Sequence, residues 1–258
     1  MIRFENIVRR FGSQTAVAGL NLEIPAGELF AFLGPNGAGK TTTIKMLVGL
    51  LHPSAGRIRV AGYDAVSHPR DATRFIGYVP DQPFLYDKLS GREFLEFVAE
   101  MRGLDRAQTA SAIARQSEQF ELGGFLEDLT ETYSHGMKQR TVFASALLHD
   151  PPVLVVDEPM VGLDPKSMRL VKDLLREKAT AGAAVFMSTH TLSIAEEVAD
   201  RIGIIDHGQL KFLGTKNQLE EELSTFRTSL EDLFLKITGE NGQPAPDRAA
   251  QAETAGEP

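Results

Sequence analysis

A glycine-rich segment with an embedded lysine is the clearest chemical feature of the sequence. Residues 34–41 read GPNGAGKT and match G-x-x-x-x-G-K-S/T, a pattern typical of loops that bind nucleotide phosphates. Glycines let successive backbone amides converge on phosphate oxygens, and the following helix directs its positive dipole end at them. The lysine neutralises phosphate charge, and the first threonine can ligate Mg²⁺. The residues predicted to contact phosphate are Gly34, Pro35, Asn36, Gly37, Ala38, Gly39, Lys40, Thr41 and Thr42.

A pair of adjacent carboxylates ends a second apolar run. Residues 153–159 read VLVVDEP, so Asp157 and Glu158 directly follow an aliphatic stretch. A carboxylate at the end of a buried strand suits a Mg²⁺ site, and its neighbour suits activation of a water molecule. Such a pair on its own is more often a solvated turn or a helix cap. Its combination with the phosphate loop favours a catalytic role.

Apolar runs and helical patterns alternate along the chain and must position these residues. The run at 29–33 leads straight into the glycine-rich loop, and helical spacing follows at 42–50. Near-continuous apolar runs later in the chain are typical of strands buried on both faces. This alternation predicts an α/β fold with a largely parallel sheet and a ligand site at the carboxyl ends of its strands. The predicted strands are 2–8, 20–24, 29–33, 153–159, 183–190 and 201–208, and helices are predicted at 42–50, 166–180 and 191–198.

The middle and the end of the chain have different patterns. From 90 to 149 there is no strand signal, and helical patterns follow a capping box of Ser90 and Glu93. We therefore predict a helical subdomain, at about 88–149, inserted into the α/β core. The last residues, 239–258, are poor in large apolar side chains and rich in alanine, proline and glycine, so a disordered tail is predicted there.

Composition excludes several kinds of site. The 258 residues include no cysteine, which removes disulfides, thiolate zinc sites and cysteine nucleophiles. The net charge of −8 argues against a broad electrostatic contact with nucleic acid. No run approaches the roughly 20 apolar residues of a membrane-spanning helix, and the first residues lack the apolar core of a signal peptide. These features predict a cytosolic chain that does not span the membrane.

These motifs, and others between them, resemble the ATP-binding cassette (ABC) family of nucleotide-binding subunits over about residues 1–238. Phe11 stands 23 residues before Gly34, TYSHGMKQR lies at 132–140, GLDP at 162–165 and STH at 188–190, all in the family's order. The resemblance implies a P-loop cassette with a mixed or parallel core sheet, an N-terminal antiparallel β subdomain and the inserted helical subdomain.

The resemblance also implies a role for each matched residue. Glu158 and His190 correspond to the catalytic carboxylate and to the histidine that contacts the γ-phosphate, and Phe11 to the aromatic that stacks on adenine. Asp164 falls in the loop that crosses the dimer interface. The signature segment, which in the family faces the ATP bound to the opposite subunit, corresponds to Tyr133, Ser134, His135, Gly136 and Met137.

Two positions depart from the family pattern. The signature usually reads Leu-Ser-Gly-Gly-Gln, whereas this chain keeps only Ser134 and Gly136 of its small central residues. A glutamine usually follows the Tyr-x-Pro strand end directly, but here Asp81 stands at that position and Gln82 comes next. Either Asp81 contacts Mg²⁺ through water or the loop shifts to use Gln82, and Asp81 is favoured because it occupies the motif position. The implied metal residues are therefore Thr41, Asp157 and Asp81 or Gln82.

The function implied is that of an ATP-hydrolysing subunit of an ABC transporter. Two copies, or two paired subunits, sandwich ATP and Mg²⁺ and drive a separate transmembrane permease subunit from the cytoplasmic face of the cell membrane. Apolar residues near Phe84, Leu85 and Tyr86 are predicted to form a groove for that membrane partner. Residues 227–239 carry a one-sided apolar pattern and resemble the closing helix of ABC-2-type exporter ATPases.

Two other functions compete with this interpretation. A soluble ABC module acting on ribosomes or DNA would usually resemble tandem cassettes or carry long coiled-coil insertions, which this acidic single cassette lacks. A P-loop kinase or GTPase is disfavoured by the ordered signature, GLDP and STH motifs and by the lack of an N-K-x-D motif. No nucleic-acid partner is expected.

Overall fold

A computed structural model describes residues 1–219 and 221 of the chain. Strands and helices alternate along most of this part, as predicted. The strands are β1 (Ile2–Phe11), β2 (Gln14–Ile24), β3 (Leu29–Leu33), β4 (Ala55–Val60), β5 (Tyr63–Asp64), β6 (Ile76–Val79), β7 (Val153–Asp157), β8 (Ala184–Thr189), β9 (Arg201–Asp206) and β10 (Gln209–Gly214). The helices are α1 (Lys40–Leu47), α2 (Pro69–Thr73), α3 (Gly91–Met101), α4 (Arg106–Gln119), α5 (His135–Leu147), α6 (Pro165–Thr180) and α7 (Leu192–Val198).

The central sheet has the strand order β10-β9-β3-β8-β7-β6. Neighbouring strands from β9 to β6 run parallel, and only β10 is antiparallel to its neighbour. Every residue of β3, β7 and β8 is buried, because helices and a second sheet cover both faces. This mixed sheet confirms the predicted α/β fold and brings the carboxyl ends of β3, β8 and β7 side by side.

A second, antiparallel sheet has the order β2-β1-β4-β5. Its first two strands are longer than predicted, because the hairpin pairs Phe11 with Gln14 around Gly12, whose φ of 57° suits glycine. The small and polar residues at the start of β2 gave no apolar alternation from which to predict this pairing. The two sheets pack through an aromatic cluster, in which the ring of Phe186 lies 5.4 Å from Phe32 and 6.2 Å from Phe4.

Three helices, α3 to α5, connect β6 to β7. The predicted capping box starts α3: the Ser90 hydroxyl accepts from the Glu93 amide, and the Glu93 carboxylate accepts from the Ser90 amide. Asp105 and Gln108 form the same arrangement at α4. The apolar faces of these helices join the buried side of the central sheet in one core.

Two predictions lie outside the described residues. They are the disordered tail at 239–258 and the one-sided apolar helix at 227–239. Among the described residues, no helix is long and apolar enough to cross a membrane.

Candidate active site

The glycine-rich loop connects the end of β3 to the first residue of α1. Gly37 and Gly39 have φ of 83° and 112°, a region that side chains beyond glycine rarely adopt. Space is limited as well, since a Cβ on Gly34 would lie 2.3 Å from the Ile205 carbonyl oxygen. The tight loop therefore needs glycine for both conformation and room, and it leads directly into the N-terminus of α1.

Lys40 holds its ammonium group inside this loop. Its side chain is buried, and Nζ donates to the carbonyl oxygens of Gly34 at 2.6 Å and Pro35 at 3.2 Å. The same nitrogen lies 3.4 Å from Oε1 of Glu158. A buried cation is thus held beside both the loop and the carboxylate at the end of β7.

Asp157 is buried at the last position of β7. Its Oδ1 accepts a hydrogen bond from the Ser188 hydroxyl at 2.5 Å, whereas its Oδ2 has no hydrogen-bond partner among the described residues. Burial raises the pKa of Asp157, and interactions with the hydroxyls of Ser188 and Thr41 oppose that rise. A buried carboxylate oxygen without a partner is costly unless a cation or donor meets it. The group therefore fits a metal ion at Oδ2.

Oxygen atoms make up the possible ligand set around Asp157. The Thr41 hydroxyl interacts with the carboxylate, and the charge of Asp81 contributes to raising its pKa. Asp81 also acts on Tyr78, whose pKa is raised to about 12, first by burial and then by Asp157 and Asp81. These charge effects indicate that Asp81 lies near Asp157, although the side chains of Asp81 and Gln82 are both exposed. Hydroxyl and carboxylate oxygens are the ligands that Mg²⁺ prefers.

Glu158 lies between a histidine and a lysine. Its Oε2 is 2.9 Å from Nδ1 of His190 and accepts from the His190 amide at 3.3 Å, while Oε1 faces Lys40. The Glu158 side chain is only 12% exposed, in contrast to 48% for His190. The catalytic pair predicted from the sequence is therefore in direct contact.

Phe11 is the last residue of β1 and pairs with Gln14 across the hairpin. Its side chain is 47% exposed, and the guanidinium of Arg9 lies 4.4 Å from the centre of the ring. Arg9 is itself fixed by a hydrogen bond from Nη1 to the carbonyl oxygen of His52 at 2.8 Å. The ring is thus an exposed aromatic surface supported by an anchored arginine.

The signature segment forms the start of α5, and its first residue is buried. The side chain of Tyr133 is 6% exposed, and its hydroxyl donates to the carbonyl oxygen of Phe125 at 2.7 Å. Its ring also packs edge-on against Phe125. Tyr133 is therefore a packing residue, because its only polar group is satisfied inside the core.

The next residues of the segment reach the surface. Ser134 caps α5 by accepting from the Met137 amide at 3.3 Å, and Met137 packs partly against the core. His135 is exposed and lies beside Gly162, where an added Cβ would approach Nε2 to 3.2 Å. Ser134, His135 and the partly exposed Gly136 thus surround the N-terminus of α5.

Asp164 caps a helix, a structural role that the GLDP motif does not by itself imply. Its carboxylate caps α6 by accepting from the amides of Lys166 and Ser167 at 2.9 and 3.1 Å, and from the Ser167 hydroxyl at 2.6 Å. Hydrogen bonds from Ser167 lower the pKa of Asp164. The Asp-Pro pair that begins α6 was the available signal, since aspartate before an N-terminal proline is typical of a helix start.

An aromatic surface and a basic groove lie on the helical side of the chain. Phe84 and Tyr86 are exposed as predicted, but Leu85 is 5% exposed and belongs to the core, so its prediction as a surface residue was wrong. Tyr86 contacts Phe97 of α3, beyond which opens a groove of about 1560 Å³ between α2, α3 and α4. Side chains that line the groove include Arg70, Arg74, Met101, Arg102, Arg115 and His149.

Comparison with known proteins agrees with this arrangement. The sequence model described as ABC transporter matches residues 17–161. The chain is 38% identical to the linearmycin resistance ATP-binding protein LnrL of Bacillus subtilis (strain 168), over 85% of this chain and 70% of that protein. It is also 38% identical to the daunorubicin/doxorubicin resistance ATP-binding protein DrrA of Streptomyces peucetius, over 87% and 68%.

Solved structures give the same result. An ATP-binding subunit of an ABC transporter superposes with a TM-score of 0.86 at 31% identity, covering 92% of this chain and 99% of that one. A bacterial ABC transporter cassette solved as a dimer superposes with a TM-score of 0.74 at 25% identity, covering 83% and 98%. Since the matched sequence model spans more than half of the residues and the relatives align along most of their own length, this chain belongs to the ABC transporter family and is one of its ATP-binding subunits.

Proposed function

We propose that this chain hydrolyses ATP with Lys40, Glu158 and His190, as one of two paired cassettes that drive a separate membrane-spanning exporter subunit. The observation that carries the proposal is the contact of Glu158 with both Lys40 and His190 at the carboxyl ends of β3, β7 and β8. Catalytic groups in open α/β sheets are expected at this edge.

The glycine-rich loop binds the phosphates of ATP. Its backbone amides and the N-terminus of α1 face the phosphate oxygens, and Lys40 neutralises their charge. An incoming phosphate competes with Glu158 for the Lys40 ammonium, which lies 3.4 Å from the carboxylate. Binding of ATP thereby frees Glu158 to accept a proton.

Asp157, Thr41 and Asp81 are the residues that would hold Mg²⁺. The unpartnered Oδ2 of Asp157 supports this assignment, together with the hydroxyl of Thr41 beside it. When bound, the ion neutralises negative charge on the β and γ phosphates. Asp81 acts at longer range, which suits contact through water.

Glu158 orients the attacking water and takes its proton. The water oxygen forms a bond to the γ-phosphorus as the bond to the bridging oxygen of ADP breaks, and the proton moves to the Glu158 carboxylate. His190 holds that carboxylate at Nδ1, and its side chain, 48% exposed, is the group that we assign to the γ-phosphate. Lys40 stabilises the charge on the transferring group.

Pairing of two cassettes completes each site. The exposed N-terminus of α5, with Ser134, His135 and Gly136, is a surface suited to an anion such as the phosphate of the opposite subunit. Asp164 stiffens the neighbouring loop by capping α6. Phe11 supplies the exposed ring for adenine. The known dimeric cassette of related fold supports this pairing.

The partner in the membrane binds the aromatic surface and the basic groove beside it. Phe84, Tyr86 and Phe97 expose apolar area. Four arginines line the groove against two acidic residues, Glu100 and Asp150, although the whole chain has a net charge of −8. That contrast favours an amphipathic partner segment with acidic residues. The names of the two relatives described above, which refer to linearmycin resistance and to daunorubicin/doxorubicin resistance, support an exporter on the cytoplasmic face of the membrane.

A substitution at Glu158 tests this function. Glu158→Gln removes the proton acceptor but keeps the size of the side chain, so turnover falls about 100-fold or more while ATP still binds. Steady-state ATPase assays measure the first effect, and size-exclusion chromatography with ATP and Mg²⁺ measures the trapped dimer.

Glu177→Gln is the matched control, because Glu177 is exposed on α6 and loses the same charge. It keeps wild-type turnover. Near-normal turnover in Glu158→Gln would refute the catalytic assignment. A wild type that hydrolyses ATP in linear proportion to its concentration, with no dimer in either protein, would refute the pairing.

A further inference from the structure

Ser188 is a fully buried polar residue in the middle of the site, and neither the motifs nor the proposed mechanism assigns it a role. It stands in β8 directly after Phe186 and Met187, which are apolar and equally buried. The parallel pairing of β7 with β8 puts Ser188 directly opposite Asp157. Side chains of directly paired residues project on the same face, so the hydroxyl and the carboxylate meet.

The Ser188 hydroxyl bridges the two acidic residues. Its Oγ lies 3.0 Å from the amide of Glu158, which can only donate, and 2.5 Å from Oδ1 of Asp157. A hydroxyl has one proton, and the amide already fills the role of donor to Oγ. The proton of Ser188 therefore goes to Oδ1, which fixes that oxygen as an acceptor and leaves Oδ2 as the free one.

The second bond holds an unusual backbone conformation. Glu158 has a φ of 47°, in the left-handed region that residues other than glycine rarely occupy. This conformation turns the chain sharply after β7, so the Glu158 carboxylate reaches Lys40 and His190. The bond from the Glu158 amide to Ser188 is the side-chain contact that anchors the turn.

We propose that Ser188 is a positioning residue for ATP hydrolysis, whose single hydroxyl aims Oδ2 of Asp157 at the metal position and fixes the Glu158 turn. The proposal rests on the roles given above to Asp157 and Glu158. Ser188 is fully buried and acts through the two acidic residues that it contacts.

Three variants of Ser188 separate the hydroxyl from the shape of the side chain. Ser188→Ala removes the hydroxyl, Ser188→Thr keeps it, and Ser188→Val matches threonine in shape without it. The kcat for ATP falls about 10- to 100-fold in the alanine and valine variants, the size expected for a lost hydrogen bond to a charged group. The threonine variant stays within about 3-fold of wild type.

A binding measurement adds a readout that does not depend on turnover. Titration with a fluorescent ATP analogue in EDTA gives the same affinity in wild type and Ser188→Ala, since the glycine-rich loop and Lys40 are unchanged. The increase in affinity on adding Mg²⁺ is smaller in the alanine and valine variants and is retained in threonine. If Ser188 had a purely structural role, Ser188→Ala would lower the nucleotide affinity in EDTA and the affinity in Mg²⁺ by the same factor.

Clear results would overturn the proposal. A Ser188→Ala protein with wild-type kcat and a wild-type response to Mg²⁺ excludes positioning, as does a valine variant that matches threonine. Circular dichroism shows whether Ser188→Thr and Ser188→Val fold with the extra methyl group in the buried site. If neither folds, the comparison of Ser188→Ala with the wild type decides alone. Failure of the proposed function is distinguishable, because it shows as normal turnover in Glu158→Gln whatever the Ser188 variants do.

Discussion

Three polar side chains of the site contact one another in sequence. Lys40, whose side chain is 6% exposed, faces Glu158, and Glu158 faces His190. A buried charge is tolerated only when a partner and hydrogen bonds compensate for the lost water. Each of these residues therefore stabilises the site before it takes part in chemistry, and loss of one leaves another without its partner.

Replacement of Lys40 tests this coupling at the scale of one residue. Lys40→Met removes the ammonium from the loop, so the affinity for ATP falls about 10-fold or more, as for a lost charge-assisted contact to phosphate. Titration with a fluorescent ATP analogue measures it. Lys45→Met, on the exposed side of the same helix, is the control and keeps its affinity. Unchanged affinity in Lys40→Met would contradict the phosphate-binding role of the loop.

Residues of the candidate site could be predicted from the sequence where a motif fixes both the residue type and the spacing. The glycine-rich loop, Asp157, Glu158 and His190 were all found in this way, and the structure brings the last two into contact. Ser188 was missed, because it is 31 positions from Asp157 and only the pairing of β7 with β8 joins them. The signal in the sequence was a serine that begins the STH motif directly after an apolar run.

At the scale of the element, the glycine-rich loop depends on the strand beside it. The backbone of β9 approaches Gly34 so closely that a Cβ would lie 2.3 Å from the Ile205 carbonyl oxygen. Contacts this short force the backbone to shift. The loop geometry is thus set by β9, which belongs to a different part of the sequence.

Gly34→Ala tests this dependence. We expect the free energy of unfolding to fall by about 1–3 kcal/mol, as for overpacking at a rigid site, and the affinity for ATP to fall with it. Urea denaturation and nucleotide titration measure the two effects. Gly123→Ala serves as the control, since a Cβ there meets nothing within 4 Å. Equal stability of the two variants would argue against a rigid loop.

Element boundaries and side-chain burial were predicted less well than element types. Leu85 was placed at the surface, because local sequence shows apolar character without showing which way a side chain points. The start of β2 was missed for a related reason, since its residues pair with β1 through backbone atoms. Tertiary packing decided both features.

At the scale of the whole molecule, the helical side offers a surface to a partner. Met101 is 73% exposed at the groove between α2, α3 and α4. Exposed apolar area beside a groove is typical of an interaction site. The opposite end of the central sheet has the antiparallel strand β10, so the two ends of the molecule differ in character.

Met101→Glu tests the membrane partner. The new negative charge repels the acidic partner segment proposed for this surface. The fraction of the protein that co-sediments with the membranes of its own cells is therefore expected to fall, by about 10-fold if one favourable charged contact is lost. Immunoblots of membrane and supernatant fractions measure it, and the purified variant keeps its ATPase rate. Leu213→Glu, exposed on β10, is the control. Equal membrane fractions for both variants would exclude this face.

The strand order of the central sheet has a consequence for when a newly made chain becomes active. The reacting groups follow β3, β7 and β8, which are adjacent in space although their residues are spread over more than half of the chain. Since β8 lies between the other two, the groups that follow β3 and β7 come together only when β8 has paired with both strands. A newly made copy is therefore expected to begin hydrolysing ATP only after β8 has joined the sheet.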